Sequence, residues 1–356
     1  ATVTTLGLIS RKGRTDSTVA GFTYLMLASV SGVLLLFSIL VLYITTGSVT
    51  SALVAERIGS VPASLRAVVA GSILVSFGIK FGLVPFHLWQ PRAYLGSGSS
   101  TAAIFSAFGM KIYLYALIRL LWLPLQLPEL MPRFFDLLLV LGMVNILAGH
   151  LVALAETNLI RMLAFSSVAH VGYILLGVAV AGRYPATAGT TAMVAALFHM
   201  AMHALSKSAL LWSGRRFIAA RRSSSIADLT GSGNGATGTV VAFALAALAI
   251  VGIPPTGGFA SKWYVATAQA SLIPVVVIVV GTVISLIYYA RFFLVVSGTN
   301  TGPRPADVPR RDGLRLDALV VLLLGTAALI AGPLDVSLRT VLHGAASALI
   351  GGGCLQ

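Results

Sequence analysis

Apolar residues in this chain do not alternate with polar ones around a helix or along a strand. They run for about twenty residues or more between short polar loops, the length an α-helix needs to cross the hydrocarbon core of a bilayer. Nine regions qualify: residues 19–45, 67–86, 100–123, 134–155, 159–181, 187–212, 237–270, 272–297 and 314–332. The predicted fold is therefore all-α, a polytopic membrane protein. The seventh region is too long for one simple span, and Ile253-Pro254-Pro255-Thr256-Gly257-Gly258 lies in its middle. Two prolines remove two backbone donors and leave carbonyls that must be satisfied inside the protein, so a discontinuous helix is expected. Pro85, just after Lys80 and Gly82, predicts a second break near the end of the second span. Broken membrane helices usually line a buried polar cavity. Residues 334–350 are too short and mixed for a tenth span and are expected along the outer interface.

Composition excludes the soluble alternative: 57% of residues are hydrophobic and only 10% charged, with a mean hydropathy of +0.95. The single cysteine, Cys354, rules out disulfides, Cys-ligated iron–sulfur clusters and Cys-type zinc sites within the chain. A net charge of +14 would suggest nucleic acid in a soluble protein. Here most basic residues lie in short loops, and the positive-inside rule accounts for them without a nucleic-acid partner. Alternating the loops puts Arg11, Lys12, Arg14, Arg92, Arg161, Arg215, Arg216, Arg221, Arg222, Arg304, Arg310, Arg311 and Arg315 on one side. Arg57, Arg66, Arg119, Arg133, Arg183 and Arg339 fall on the other. Thirteen against six orients the start of the chain to the cytoplasm and its C-terminus outside. The glycine-rich stretch Gly231–Gly238 follows no strand and reads as a loop, and there is no phosphate-binding P-loop, so no ATP-driven motor is expected in this chain.

The charges inside the spans carry the functional signal. Of five lysines, only Lys12 lies in a polar loop; Lys80, Lys111, Lys207 and Lys262 sit within or beside apolar spans. A charged residue at mid-membrane costs about 2.5–3.5 kcal/mol on insertion scales, so such residues face a bundle interior or water. The competing explanation is a long stem that snorkels to the headgroups, which is most plausible for Lys207, five residues from Trp212. An amine in apolar surroundings is able to load and release a proton near neutral pH. His199, His203 and Lys207 are spaced four apart and share one helix face, a titratable stripe. A zinc site would need a third ligand, and the His199-Met-Ala-Met-His203 segment lacks a metalloprotease glutamate, so no metal is expected. His170 is also mid-span and serves equally well as a packing residue or a relay. His87 lies nearer a boundary, and His150 and His343 carry little signal. The acids Asp136 and Glu156 sit near span ends, and no carboxylate is expected beside Lys80.

Four motifs in order then resemble a known family. Lys80, Pro85, Phe86, His87, Trp89, Pro91, Tyr94 and Gly96, followed by Lys111 and Arg119, make the first. Asn158–Tyr173, with Arg161 where a lysine is common, makes the second. His203-Ala-Leu-Ser-Lys207 and Gly252–Lys262 complete the set. Covering about residues 80–297, they resemble the antiporter-like membrane subunits of NADH:quinone oxidoreductase (complex I), most nearly subunit N. The same family includes Mrp-type sodium/proton antiporter subunits and membrane-bound hydrogenase subunits. The chain departs from the pattern at Gln90-Pro91-Arg92, where the family often has an acid.

The resemblance implies a fourteen-helix fold with two inverted five-helix repeats, each holding a broken helix. The nine spans would be the sixth to fourteenth, dividing the chain into a truncated first repeat (1–133), a second repeat (134–297) and a C-terminal loop, last helix and tail (298–356). The opening helices, among them one carrying a glutamate that pairs with the lysine matching Lys80, are expected to be missing upstream of Ala1, leaving a gap beside Lys80. It further implies a hydrated proton path through Lys80, Lys111, His170, His203 and Lys262, with Lys207 and His87 as additional candidates. On this reading Lys80 exchanges protons with water, Lys111 passes them inward and Lys262 governs release. The implied partners are other membrane subunits, lipids and protons, or sodium in the antiporter branch. No cofactor is expected, and any redox chemistry would belong to other subunits. A non-conducting scaffold, whose lysines only fix helix packing, is the alternative from another class.

Overall fold

The computed structural model describes residues 15–97, 99–298, 326–327 and 335–350. Among these residues every regular element is helical, and seven stretches are long and apolar enough to cross a membrane. In chain order the elements are α1 (Thr15–Thr46), α2 (Ala63–Phe81), α3 (Trp89–Ser97) and α4 (Thr101–Trp122), then α5 (Phe134–Ala155), α6 (Leu159–Arg183) and α7 (Gly189–Arg221). These are followed by α8 (Thr237–Val251), α9 (Gly257–Thr267), α10 (Leu272–Ser297) and α11 (Asp335–Ile350). Seven of the first eight expected spans are these long apolar stretches, the one expected at 187–212 running on to Arg221, and the remaining one, 237–270, is divided between α8 and α9. The ninth, 314–332, lies outside the described residues except for Thr326 and Ala327, as do residues 1–14 and Cys354.

Both expected breaks form. Helix α2 ends at Phe81, and Gly82 takes a left-handed conformation with φ +83°; α8 ends at Val251, and Gly252 does the same at +82°. Only glycine adopts that backbone without strain, so each break is a glycine cap followed by prolines that cannot continue the helix. The chain resumes as α3 after a short turn at Phe86–Leu88, and as α9 under a Thr256 cap whose hydroxyl accepts from the Phe259 N–H at 3.2 Å. A third irregularity was not expected. Helix α4 contains a π-helical turn at Phe105–Gly109, closed by the Met110 N–H on the Phe105 carbonyl. Such register slips free a carbonyl and recur at functional sites.

Helix α6 is the axis of the bundle, buried along its length, with α5 and α7 packed on either side. The α5–α6 approach is close enough that a Cβ on Gly149 would run into the Ala169 backbone. Small residues at such crossings let dispersion act between backbones where lipid removes any hydrophobic driving force. Outside this core, α1 presents Phe22, Val33, Leu36 and Ile44 outward, as a lipid- or subunit-facing helix must.

Helix α11, in the segment expected along the outer interface, lies with one face against the bundle. Ala346 and Leu349 are buried in the main apolar core, and the helix packs on α7 and α4. Its alanines at 345, 346 and 348 are small enough to admit it to the bundle.

Candidate functional site

Helix α4 brings Lys111 to the centre of the bundle. Its Nζ donates to the Ser106 carbonyl, within the π-turn, and sits against Nδ1 of His203 on α7. Lys111 also lines a cleft of about 470 Å³ between α4, α7 and α11, with Tyr115, Arg119 and Met200. From His203 the array crosses to α6, where the His170 ring is stacked on it with centroids 5.2 Å apart. His170 Nδ1 lies 3.0 Å from Nε2 of His199, and His199 Nδ1 lies 2.9 Å from the Ser261 hydroxyl on α9.

The residue after Ser261 is Lys262. Its amine donates to the Val251 carbonyl, freed by the second helix break, at 2.9 Å and to Thr282 on α10 at 3.3 Å. It also lies 4.6 Å from the centre of the Tyr173 ring, a favourable place for a cation. His170, His199, His203 and Lys262 are all buried, and Nε2 of both His170 and His203 has no protein hydrogen-bond partner. A buried polar group without any partner is costly, which sets these two nitrogens apart from the paired ones around them. The four-residue spacing of His199 and His203 puts both on the α6-facing side of α7, as the stripe predicts.

The remaining sequence-predicted residues fall elsewhere. Lys80 is buried, at 8% exposure, with its amine 5.5 Å and 5.9 Å from the Tyr24 and Tyr113 ring centres. The gap expected beside it is thus closed by aromatic side chains of α1 and α4. Of the chain's carboxylates, Glu56 is exposed and Asp136 pairs with Arg183 at 3.0 Å at the end of its span. Lys207 does not snorkel, because it is completely buried and donates to the Leu163 carbonyl at 2.8 Å and the Tyr289 hydroxyl at 3.3 Å. His87 lies in the Phe86–Leu88 turn, packed edge-on against Phe165 at 5.9 Å, and none of its described contacts joins it to the array. Among the described residues no three His, Cys, Asp or Glu side chains are placed to hold a metal ion.

Sequence reasoning missed Ser261 and Thr282, whose hydroxyls carry no signal in a serine- and threonine-rich chain. It also undervalued His150, which is fully buried on α5 with its ring 5.7 Å from that of His170. Chemically, Lys111, His203, His170, His199 and Ser261 form a file of groups that both accept and donate protons, running between two amines.

The chain's relatives share this architecture. The NADH:quinone oxidoreductase/Mrp antiporter transmembrane family matches residues 1–287. NADH-quinone oxidoreductase subunit N 2 of Roseiflexus castenholzii is 31% identical over 327 residues, covering 88% of this chain and 65% of its own length. F(420)H(2) dehydrogenase subunit N of Methanosarcina mazei is 32% identical over 279 residues, covering 75% of this chain and 55% of its own. The chain therefore spans 55–65% of the length of these two relatives. In three dimensions a chain of the Mrp complex from a Dietzia species superposes with a TM-score of 0.87 at 25% identity, over 98% of this chain and 72% of its own. A chain of respiratory complex I from Thermus thermophilus shares the fold, with a TM-score of 0.82 at 22% identity, over 98% of this chain and 72% of its own. The chain is an integral membrane protein that belongs to the NADH:quinone oxidoreductase/Mrp antiporter family of membrane subunits.

Proposed function

We propose that this chain moves protons through the membrane as an antiporter-like subunit of a respiratory complex of the NADH:quinone oxidoreductase type, driven by partner subunits that carry the redox chemistry. The observation that carries the reading is the file from half-buried Lys111 through the buried His203, His170 and His199 to Ser261 beside Lys262. A stationary ion pair needs no such file, whereas proton transfer needs successive amphoteric groups within hydrogen-bond reach or one water apart. A proton held on one amine makes a second proton nearby unfavourable, so a charge change in a neighbouring subunit shifts occupancy along the file. Lys80, in its aromatic enclosure, supplies the first half of the chain with a buried amine of the same kind. The outward apolar face of α1 supports contact with lipid or a partner membrane subunit.

Replacing Lys111 by alanine is expected to abolish proton movement in vesicles holding the assembled complex, whereas Lys12→Ala leaves it unchanged. Wild-type proton movement in Lys111→Ala would remove the file from the pathway. Loss of transport with intact assembly would exclude the scaffold alternative. Likeness to the Mrp chain favours a second reading, sodium/proton exchange, and sodium-dependent flux in the same vesicles would select it.

The repeat boundaries at 133/134 and 297/298 are part of the same proposal, supported by one glycine–proline break in each half. So is the orientation, with the start of the chain cytoplasmic, which rests on the thirteen-to-six asymmetry of basic loop residues. A cysteine introduced in 213–235 should be labelled only from the cytoplasmic side and one in 46–60 only from outside; the reverse pattern would invert the orientation.

A further inference from the structure

Lys207 and His150 lie outside the file just described, yet both are completely buried, and a line of hydroxyls connects them. Lys207 Nζ donates to the Tyr289 hydroxyl at 3.3 Å, which lies 3.0 Å from the Ser166 hydroxyl. Ser166 accepts from the Tyr288 hydroxyl at 2.9 Å, and Tyr288 lies 3.1 Å from Nδ1 of His150. The other nitrogen of His150, Nε2, lies 3.1 Å from the Tyr173 hydroxyl, and the Tyr173 ring is the one over which Lys262 sits. Three helices supply these links, α5, α6 and α10, with Lys207 entering from α7.

Hydrogen bonds inside a lipid-embedded bundle contribute little to stability, so packing alone is a weak reason to line up five polar side chains. This line connects two amines, and every member between them both donates and accepts. The fold also makes room for it. An added Cβ on Gly281 of α10 would lie 2.6 Å from the Tyr173 hydroxyl and 3.0 Å from His150 Cδ2. A glycine at that position therefore lets α10 close onto the His150–Tyr173 link.

We propose that Tyr289, Ser166, Tyr288, His150 and Tyr173 form a second proton-relay branch, joining Lys207 to the Lys262 end of the central file with His150 as its tautomeric switch. This rests on the proton-moving function proposed above. In one passage an ammonium at one end becomes a neutral amine and a neutral amine at the other becomes an ammonium. Each hydroxyl between exchanges one O–H bond for another, and His150 takes a proton on one ring nitrogen as it gives one up from the other. Nothing is oxidised or reduced. The last step, between the Tyr173 hydroxyl and the Lys262 amine, runs by way of the Thr282 hydroxyl, which bonds Tyr173 and accepts from Lys262 at 3.3 Å.

The test uses the assembled complex in vesicles, with proton flux read by an internal pH dye. Tyr288→Phe removes one hydroxyl and keeps the ring, and Lys207→Met removes the amine and keeps the stem. Each is expected to lower flux at least about tenfold, as loss of a positioned proton-transfer group does. If both lie on one line, the double variant falls no further than the worse single variant. Wild-type flux in Tyr288→Phe, or a double variant that falls to the product of the two single effects, would overturn the branch. His150→Gln, which keeps hydrogen bonding without the tautomeric exchange, should match Tyr288→Phe, and full flux in that variant would also overturn it. Lys111→Ala in parallel separates the two proposals. If Lys111→Ala stops flux while Tyr288→Phe does not, the branch alone fails; if neither variant affects flux, the proton-moving function itself fails.

Discussion

The two helix breaks use the same local chemistry and place their lysines differently. In both, a left-handed glycine caps the helix and prolines follow, so the final carbonyls of α2 and α8 need partners inside the protein. At the first break neutral side chains supply them: the Trp89 indole N–H donates to the Ile79 carbonyl in the last turn of α2 at 2.7 Å, and an amide holds the turn that follows. Asn145 on α5 donates to the Gly82 carbonyl at 3.3 Å and accepts from the Val84 N–H at 2.9 Å, while the Lys80 amine lies 5.5 Å and 5.9 Å from the Tyr24 and Tyr113 ring centres. At the second break the amine of Lys262 is itself the cap on Val251. One break is a structural joint stitched by an amide. In the other, the group that satisfies the backbone is also the group able to carry a proton, which ties helix geometry to protonation.

The second break should be the less tolerant of added volume. A Cβ on Gly258 would collide with the backbone carbonyl of Ala249, and neither helix end can give way without losing its cap. Gly258→Ala is expected to destabilise by about 3 kcal/mol, at the upper end for overpacking, read as a lower unfolding midpoint of the purified protein in detergent. A midpoint within a degree of wild type would mean that α8 and α9 slide past one another, and that the second break is a hinge.

At the first break the largest effect should come from Asn145→Ala. The substitution leaves the half-buried Val84 N–H without its acceptor and also removes a 3.2 Å bond to the Val168 carbonyl. An orphaned donor of this kind costs about 1–3 kcal/mol. Because Asn145 carries no proton, its loss should lower stability without selectively lowering flux per assembled complex. A variant of normal stability and no flux would reverse the roles assigned to the two breaks.

The breaks and the lysines were legible because each depends on a few adjacent residues: Gly82 with Pro85, Gly252 with Pro254 and Pro255, an amine within an apolar run. The His199–His203–Lys207 stripe was legible for the same reason, since its members share a helix. What escaped was everything that depends on where one helix lies against another. Asn145 reads as one polar residue in an apolar span until α5 is placed beside the first break. His150 is uninformative in Ala148-Gly149-His150-Leu151, because its partners Tyr173 and Tyr288 are 23 and 138 residues away in sequence. The π-turn ahead of Lys111 is a slip in hydrogen-bond register that no residue type announces. The enclosure of Lys80 depended on Tyr24 and Tyr113, two tyrosines among ten that the pattern could not tell apart.

The smallest expected change in stability belongs to the substitution with the largest expected change in transport, and that contrast tests the comparison most directly. Lys262→Met keeps the length of the stem that packs at the second break and removes the amine. The Val251 carbonyl then loses a donor, at a cost of about 1 kcal/mol, but the protein is relieved of a buried amine that is itself unfavourable in the membrane interior. The two effects oppose, so the unfolding midpoint should move by less than the equivalent of about 1 kcal/mol. Proton flux should nevertheless be lost, because the file then ends at His199 and Ser261 with no amine beyond them at the second break to take the proton up. If Lys262→Met instead unfolds the protein as readily as Gly258→Ala, the amine is there as a backbone cap, as Asn145 is at the first break, and the two breaks differ only in which side chain closes them.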